Sequence, residues 1–308
     1  MQNTIRSTIR FNGVGLHSGK PVRMVVEPAS ADYGIWFRRV DVLDGDSMIA
    51  ARWDNVEQSP LCTKIKNTNG VTVSTIEHIM AALAGCGVHN ALIEIDGPEV
   101  PIMDGSSAPF VKGILSRGLQ EQTSPIRAIK IEKPIRVQLG DAWAELLPAD
   151  NLEIDFHIDF ADEAIGIQQR AMNMANGTFV RELCDSRTFC RRSDVVAMQS
   201  SGLALGGVPG ENAIVFNGPL IESGELRRDD EPVRHKMLDA LGDLYTAGAP
   251  ILGRYVGHCA GHSMTNALLR KLFADPLAYS FVECSENTCA KLPGMGVRLS
   301  EVPAVALL

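Results

Sequence analysis

Leu152-Glu-Ile-Asp-Phe-His-Ile-Asp-Phe160 alternates apolar and polar positions without a break. A period of two puts Leu152, Ile154, Phe156, Ile158 and Phe160 on one face of a strand and turns Glu153, Asp155, His157 and Asp159 toward solvent. Shorter runs rich in strand-forming residues predict strands over 22–27, 34–40, 48–52 and 90–95, then over 127–139, 142–147 and 251–256. Gly140-Asp141 suits a hairpin turn between two of these. Helical spacing marks 77–84, closed by Gly85 and Gly87, and further stretches over 109–117, 177–185, 193–201 and 263–279. Ser74 or Thr75 suits the cap of the first helix, and Ser74 with Glu77 has capping-box spacing. The clearest helix pattern is 231–244. Pro232 fits its first turn, Met237, Leu241, Leu244 and Gly248 share one face, and His235, Asp239 and Asp243 form a polar stripe nearly opposite. Strands and helices are mixed without regular βαβ alternation, which gives an α+β class. The polar stretch 118–125 is the expected domain boundary.

A chain of 308 residues suggests about two domains at the usual ~100–200 residues each. A net charge of −8 argues against generic nucleic-acid binding but leaves an anionic substrate open, because local Arg and Lys decide that. The cysteines are scattered and lack a CxxC pair, so they read as reduced thiols of a cytoplasmic protein, and Cys284 and Cys289 as incidental rather than ligating. The first residues have no apolar core suited to a signal peptide. No run approaches the ~20 apolar residues that cross a bilayer. The glycine-rich stretch 13–19 is not a dinucleotide fingerprint, and His17 within it reads as structural.

His235 and Asp239 at i and i+4 make either a surface pair or two ligands of a divalent ion. Glu77 and His78 read either as a capping residue and a partly buried histidine or as a base and a ligand. Were the fold to unite the two segments, His78, His235 and Asp239 would leave a fourth position open for water, whose pKa a metal lowers toward ~7. Glu77 would then take the proton. An oxyanion donor and a general acid are also needed, and Lys236, Thr188 and His262, with Asp243 orienting His262, are the candidates.

Seven segments carry a stronger signal together: Gly13-Val-Gly-Leu-His-Ser-Gly19, Ser74-Thr-Ile-Glu-His78, Pro101-Ile-Met-Asp-Gly-Ser-Ser-Ala-Pro-Phe110, Arg187-Thr-Phe189, residues 202–207, Val233-Arg-His-Lys-Met-Leu-Asp-Ala-Leu-Gly-Asp243 and Gly261-His262. In this order they resemble the motifs of the UDP-3-O-acyl-N-acetylglucosamine deacetylase family, the zinc amidases of lipid A biosynthesis, over nearly the whole chain. The resemblance implies two related two-layer α/β sandwich domains with the active site in the cleft between them. Residues 1–120 would supply Glu77 and His78, and residues 127–308 would supply His235 and Asp239. It implies one catalytic Zn2+, or Fe2+, on His78, His235 and Asp239, with Glu77 as base. His262 would be the acid or electrostatic stabiliser, Asp243 its partner and Thr188 an oxyanion donor.

By the same resemblance Lys236 contacts substrate, and Phe189 and Phe160 pack on its sugar or nucleotide. An insert near 191–215, with Val195, Met198, Gly207 and Val215, shapes an acyl passage, and Cys62 sits near the mouth. One departure stands out: Cys259 occupies a position that is basic in the family, which leaves part of the diphosphate contact open, with His258 beside it. The activity implied is hydrolysis of the N-acetyl group of UDP-3-O-acyl-N-acetylglucosamine, the committed step of lipid A biosynthesis, by a cytoplasmic monomer. The competing readings are a zinc amidase for another amino sugar and a catalytically silent binding protein on the same fold.

Overall fold

A computed structural model describes residues 1–59 and 61–304; the apolar end of the chain, 305–308, lies outside the described residues. The chain is mixed α and β, as the α+β reading expects, with its strands in several sheets. In the first, five-stranded sheet the order is Ile9–Val14, Pro21–Pro28, Ala91–Ile95, Ile35–Arg39 and Met48–Ala50. Pro21–Pro28 and Ile35–Arg39 are neighbours in sequence but not in the sheet. Ala91–Ile95 lies between them, antiparallel to one and parallel to the other. Alternation decides which side is core: Val22, Met24 and Val26 are buried while Pro21, Arg23 and Pro28 are exposed.

In the second sheet the central strand is Ile251–His258. It runs antiparallel to Ala142–Pro148 and parallel to Leu152–Asp159. The span 127–139, expected as one strand, is two, Arg127–Ile131 and Ile135–Leu139. Pro134 sits in the break, where its lack of an N–H would interrupt a ladder. The Gly140-Asp141 hairpin forms, with Leu139 opposite Ala142 and Gly140 at φ +59°. Leu152, Ile154, Phe156 and Ile158 are buried as predicted, but of the four outward positions only Asp159 is exposed, and Glu153 is half-buried. Asp155 is buried and binds Arg254 (2.8 Å), and His157 is half-buried against His258.

The helices are α1 (Glu77–Cys86), α2 (Ala108–Arg117), α3 (Arg192–Ser200), α4 (Glu231–Tyr245), α5 (His262–Phe273) and the short α6 (Glu286–Cys289). Residues 177–185 hold one π-helical turn, Phe179–Leu183. The expected helix 263–279 stops at Phe273. Asp275 and Pro276 turn the chain, and Tyr279 begins a strand paired with Arg127–Ile131. Helix α1 is not capped by Ser74 or Thr75. Ser74 Oγ donates to Pro98 O, Thr75 has φ +59°, and the Glu77 carboxylate is used elsewhere. The boundary stretch 118–125 includes a strand, Leu119–Glu121, paired with Asn3–Ile5.

All ten residues of α1 are buried, as are thirteen of the fifteen in α4, where Lys236 and Tyr245 are half-buried. The polar stripe of α4 is therefore interior, because α1 packs on it. Gly242 makes that approach possible: a Cβ there would meet Glu77 O at 2.0 Å. One contiguous core takes in residues of both sheets and of α1, α2, α4 and α5. Among the described residues no helix is long and apolar enough to cross a membrane.

Candidate metal centre and active site

The α1–α4 contact brings together side chains that the sequence keeps far apart. One donor atom from each of His78, His235 and Asp239 lies within 4.8 Å of the others, and all three residues are buried. Asp239 Oδ1 is 3.3 Å from His235 Nε2 and 3.6 Å from His78 Nε2, with the rings edge-to-face at 5.0 Å. The His235 Nδ1–H donates to Ser186 O (2.9 Å), which leaves its Nε2 as a lone pair. A backbone carbonyl behind a ligating imidazole is the usual way to fix its tautomer and orientation. Lys236 Nζ donates to Asp239 Oδ2 (2.7 Å), whereas Asp239 Oδ1 is buried without a hydrogen bond. A buried acceptor without a partner is costly, and this one lies between two imidazole nitrogens. Two imidazoles and one carboxylate converging there fit a divalent cation of the zinc type.

The electrostatics agree with that donor set. Burial holds the His235 imidazole down at about 4, so it is neutral at neutral pH. Burial would raise Asp239, but His235 and Lys236 outweigh it and keep the carboxylate well below its usual range. Burial likewise works against the charge of Lys236, yet Asp239 holds its ammonium above the ordinary range.

Beside the three donors lies a second cluster. Glu77 Oε2 accepts the Thr63 N–H (3.0 Å), and Glu77 Oε1 is 4.0 Å from His262 Nε2. His262 Nδ1 bonds Asp243 Oδ2 (2.9 Å), and Thr63 Oγ1 donates to Asp243 Oδ1 (2.5 Å). Burial raises the Glu77 carboxyl, with His262 and His78 opposing it. Burial would deprotonate His262, but Asp243 and then Glu77 overcome it and lift the imidazole to about 9. A proton acceptor and a proton-bearing imidazole thus face the same small volume from two sides.

His235, Lys236, Asp239 and His262 open onto a cavity of about 350 Å³. Thr188, Phe189, Phe160, Val195, Met198, Gly207 and Val215 line it. Phe160 and Phe189 meet edge-to-face at 5.6 Å. Cys62 is different: it is buried, burial and then the Glu77 charge push its thiol to about 12, and its neighbour Leu61 is the residue on the cavity wall.

Two contributors, Thr63 and Ser186, were not singled out from sequence, and a third, His17, was read there as structural. Thr63 ties Glu77 to Asp243. Ser186 orients His235, and its segment is pinned by the buried Arg187–Glu231 pair, where Arg187 N and Nε both donate to Glu231 Oε1 (2.9 and 3.0 Å). Glu231, in the first turn of α4, therefore anchors the cavity wall. His17 also lines the cavity, with both ring nitrogens buried and unpartnered. Only the proximity of Thr63 to Cys62, and of Ser186 to Thr188, pointed toward the first two.

The family described as "LpxC: UDP-3-O-acyl N-acetylglycosamine deacetylase" matches residues 2–274. A UDP-3-O-acyl-N-acetylglucosamine deacetylase of Phenylobacterium zucineum is 48% identical over 279 residues, covering 90% of this chain and 95% of that protein. The protein of the same name from Idiomarina loihiensis is 46% identical over 93% of this chain and 94% of its own length. The one from Pasteurella multocida is 43% identical over 91% and 92%. By this breadth of similarity the chain belongs to the family of UDP-3-O-acyl-N-acetylglucosamine deacetylases.

Proposed function

We propose that this chain hydrolyses the N-acetyl group of UDP-3-O-acyl-N-acetylglucosamine, releasing acetate and UDP-3-O-acyl-glucosamine, the committed step of lipid A biosynthesis. The observation that carries the reading is the unpartnered Asp239 Oδ1 between His78 and His235, with Glu77 and His262 alongside and a cavity opening from it. His78, His235 and Asp239 would hold Zn2+, or Fe2+. When bound, such an ion lowers the pKa of water and polarises the amide carbonyl.

The chain's own groups do the rest. Glu77 accepts the proton of the attacking water, and the Thr63 N–H keeps its other oxygen aimed away. His262, held by Asp243 in its charged form, stabilises the oxyanion and returns a proton to the leaving amine. Thr188 adds a donor at the oxyanion. Lys236 faces the substrate with one end of its charge spent on Asp239. Phe160 and Phe189 pack on the sugar or nucleotide. The insert near 191–215, through Val195, Met198, Gly207 and Val215, takes the acyl chain, because a hydrocarbon chain needs an apolar passage. That apolar wall favours an acylated substrate over a plain amino sugar. Cys62 is buried, and its neighbour Leu61 takes the place expected of it at the cavity wall.

We also assign residues 1–120 and 127–308 to two related domains, each a two-layer sandwich, with the cavity in the cleft between them. The separate sheets of the two parts and the α1–α4 contact support this. The protein is taken to work as a cytoplasmic monomer.

The test is metal content together with acetate release on the acylated UDP-sugar. His78→Ala should lose both. Glu77→Gln should keep the metal and lose turnover by about 10²–10⁴-fold, the usual worth of a general base. Metal bound equally by wild type and His78→Ala would remove His78 from the donor set, and metal without acetate release would reject this substrate.

A further inference from the structure

A second group of metal-ligating side chains lies outside the site described above. Strands Leu152–Asp159 and Ile251–His258 run parallel with His157 in register with His258. Side chains in register on neighbouring parallel strands share a sheet face. The two imidazoles accordingly stack, with centroids 4.4 Å apart and planes within 5°. Trp143, on the next strand and opposite His258, stacks on that ring at 5.6 Å and backs it. Cys259 follows directly. Its backbone N–H donates to His157 O (2.8 Å), and its φ of +48° is a left-handed conformation that residues other than glycine, Asn and Asp seldom adopt. Its Sγ and one nitrogen of each imidazole all lie within 4.8 Å of one another.

These donors differ in kind from those of the catalytic centre. Two imidazoles and a thiolate select borderline-soft ions, with zinc first among the abundant divalent ones. We propose that His157, His258 and Cys259 form a second metal site, for a thiophilic divalent ion of the zinc class. The fourth coordination position faces solvent, because Cys259 is exposed. Binding turns one ring out of the stack so that both nitrogens and the sulfur address one point. The site is near the cavity without belonging to it: the wall includes Phe160, just past the end of one strand, and Gly261 and His262, at the start of α5, but not the cluster itself. Positive φ at Cys259 thereby gains a purpose, since it sets the thiol beside the histidine pair just before the chain enters α5.

Cobalt distinguishes the two sites. The centre of His78, His235 and Asp239 has only nitrogen and oxygen donors, so Co2+ there gives weak visible bands. A thiolate adds intense charge-transfer absorption in the near ultraviolet. Titrating the metal-free full chain with Co2+ should show uptake beyond the first equivalent, with that absorption. Cys259→Ser should abolish the charge-transfer band and leave the visible bands, and His258→Asn should weaken the second step roughly tenfold or more. Cys259 is on the surface, so its serine variant should unfold at the same temperature as wild type. Absence of the charge-transfer band in wild type, its survival in Cys259→Ser, or an unchanged second step in His258→Asn would each overturn the proposal.

Discussion

Thr63 serves two acids at once, giving its backbone N–H to Glu77 and its hydroxyl to Asp243. The hydroxyl bond matters for catalysis only through Asp243 and His262, so Thr63→Val isolates it without removing the bond to Glu77. The expected result is a fall in kcat/KM of about 10–100-fold, typical of groups that orient a reacting side chain, with metal content unchanged. An unaltered rate would show that Asp243 is fixed without Thr63. The pH profile belongs to the same residues. His262 keeps its proton below about 9 and loses it above. As the acid it should therefore give kcat/KM an alkaline limb that falls as pH rises through that value, and a bound dication would move the limb downward. Glu77 acts ionised, and its raised carboxyl sets an acid limb above the ordinary carboxylate range. His262→Gln should flatten the alkaline limb and keep the acid one. At this scale the sequence was informative about which residue types could act. It was misleading about Glu77: spacing from Ser74 matched a capping box, but a buried carboxylate between Thr63 and His262 has no capping role.

Among the elements, α4 was the most legible, because Pro232 marks its start and the four-residue spacing of His235, Asp239 and Asp243 survives any error at its ends. What could not be read was that its polar stripe is buried. Amphipathic spacing assigns polar residues to water by default, whereas here the stripe faces α1. The end of α5 was misread for a related reason: Leu277 and Ala278 prolong the apolar pattern beyond Pro276, though the chain has already turned toward the strand at Tyr279. The α1–α4 contact depends on Gly242, whose missing Cβ leaves room for Glu77 O. Gly242→Ala must push the helices apart. It is expected to cost about 1–3 kcal/mol, the range for overpacking a dense interior, read as a lower urea midpoint. Because the same displacement separates His78 from His235 and Asp239, metal affinity should fall with stability. Loss of stability with full metal affinity would mean that α1 tilts about its N-terminal end without moving His78.

For the whole molecule, the meeting of distant segments is the part that local pattern could never supply, and the family resemblance supplied it as an expectation. The resemblance also marked an apolar insert near 191–215. The insert closes over the first part of the chain: a Cβ at Gly206 would meet Gly15 O at 2.2 Å, so loop 13–19 and the insert pack backbone to backbone. Gly207, next along, is different. A Cβ there would meet Ala204 O and Leu16 Cδ1 at 3.5 Å, ordinary contact distances, and the residue lines the cavity. Gly207→Leu should therefore fold normally and occupy part of the passage. Excluding about three methylenes of an acyl chain forfeits roughly 2.4 kcal/mol at ~0.8 kcal/mol each, or about 50-fold in binding. The expected outcome is a KM raised by that order for the long-acyl substrate, with little change for a short-acyl analogue and no change in metal content or melting temperature. Comparing kcat/KM for the two substrates in wild type and variant decides it. An equal loss on both would mean that the cavity at Gly207 does not hold the acyl chain, and the hydrocarbon would have to be sought along another wall of the same cleft.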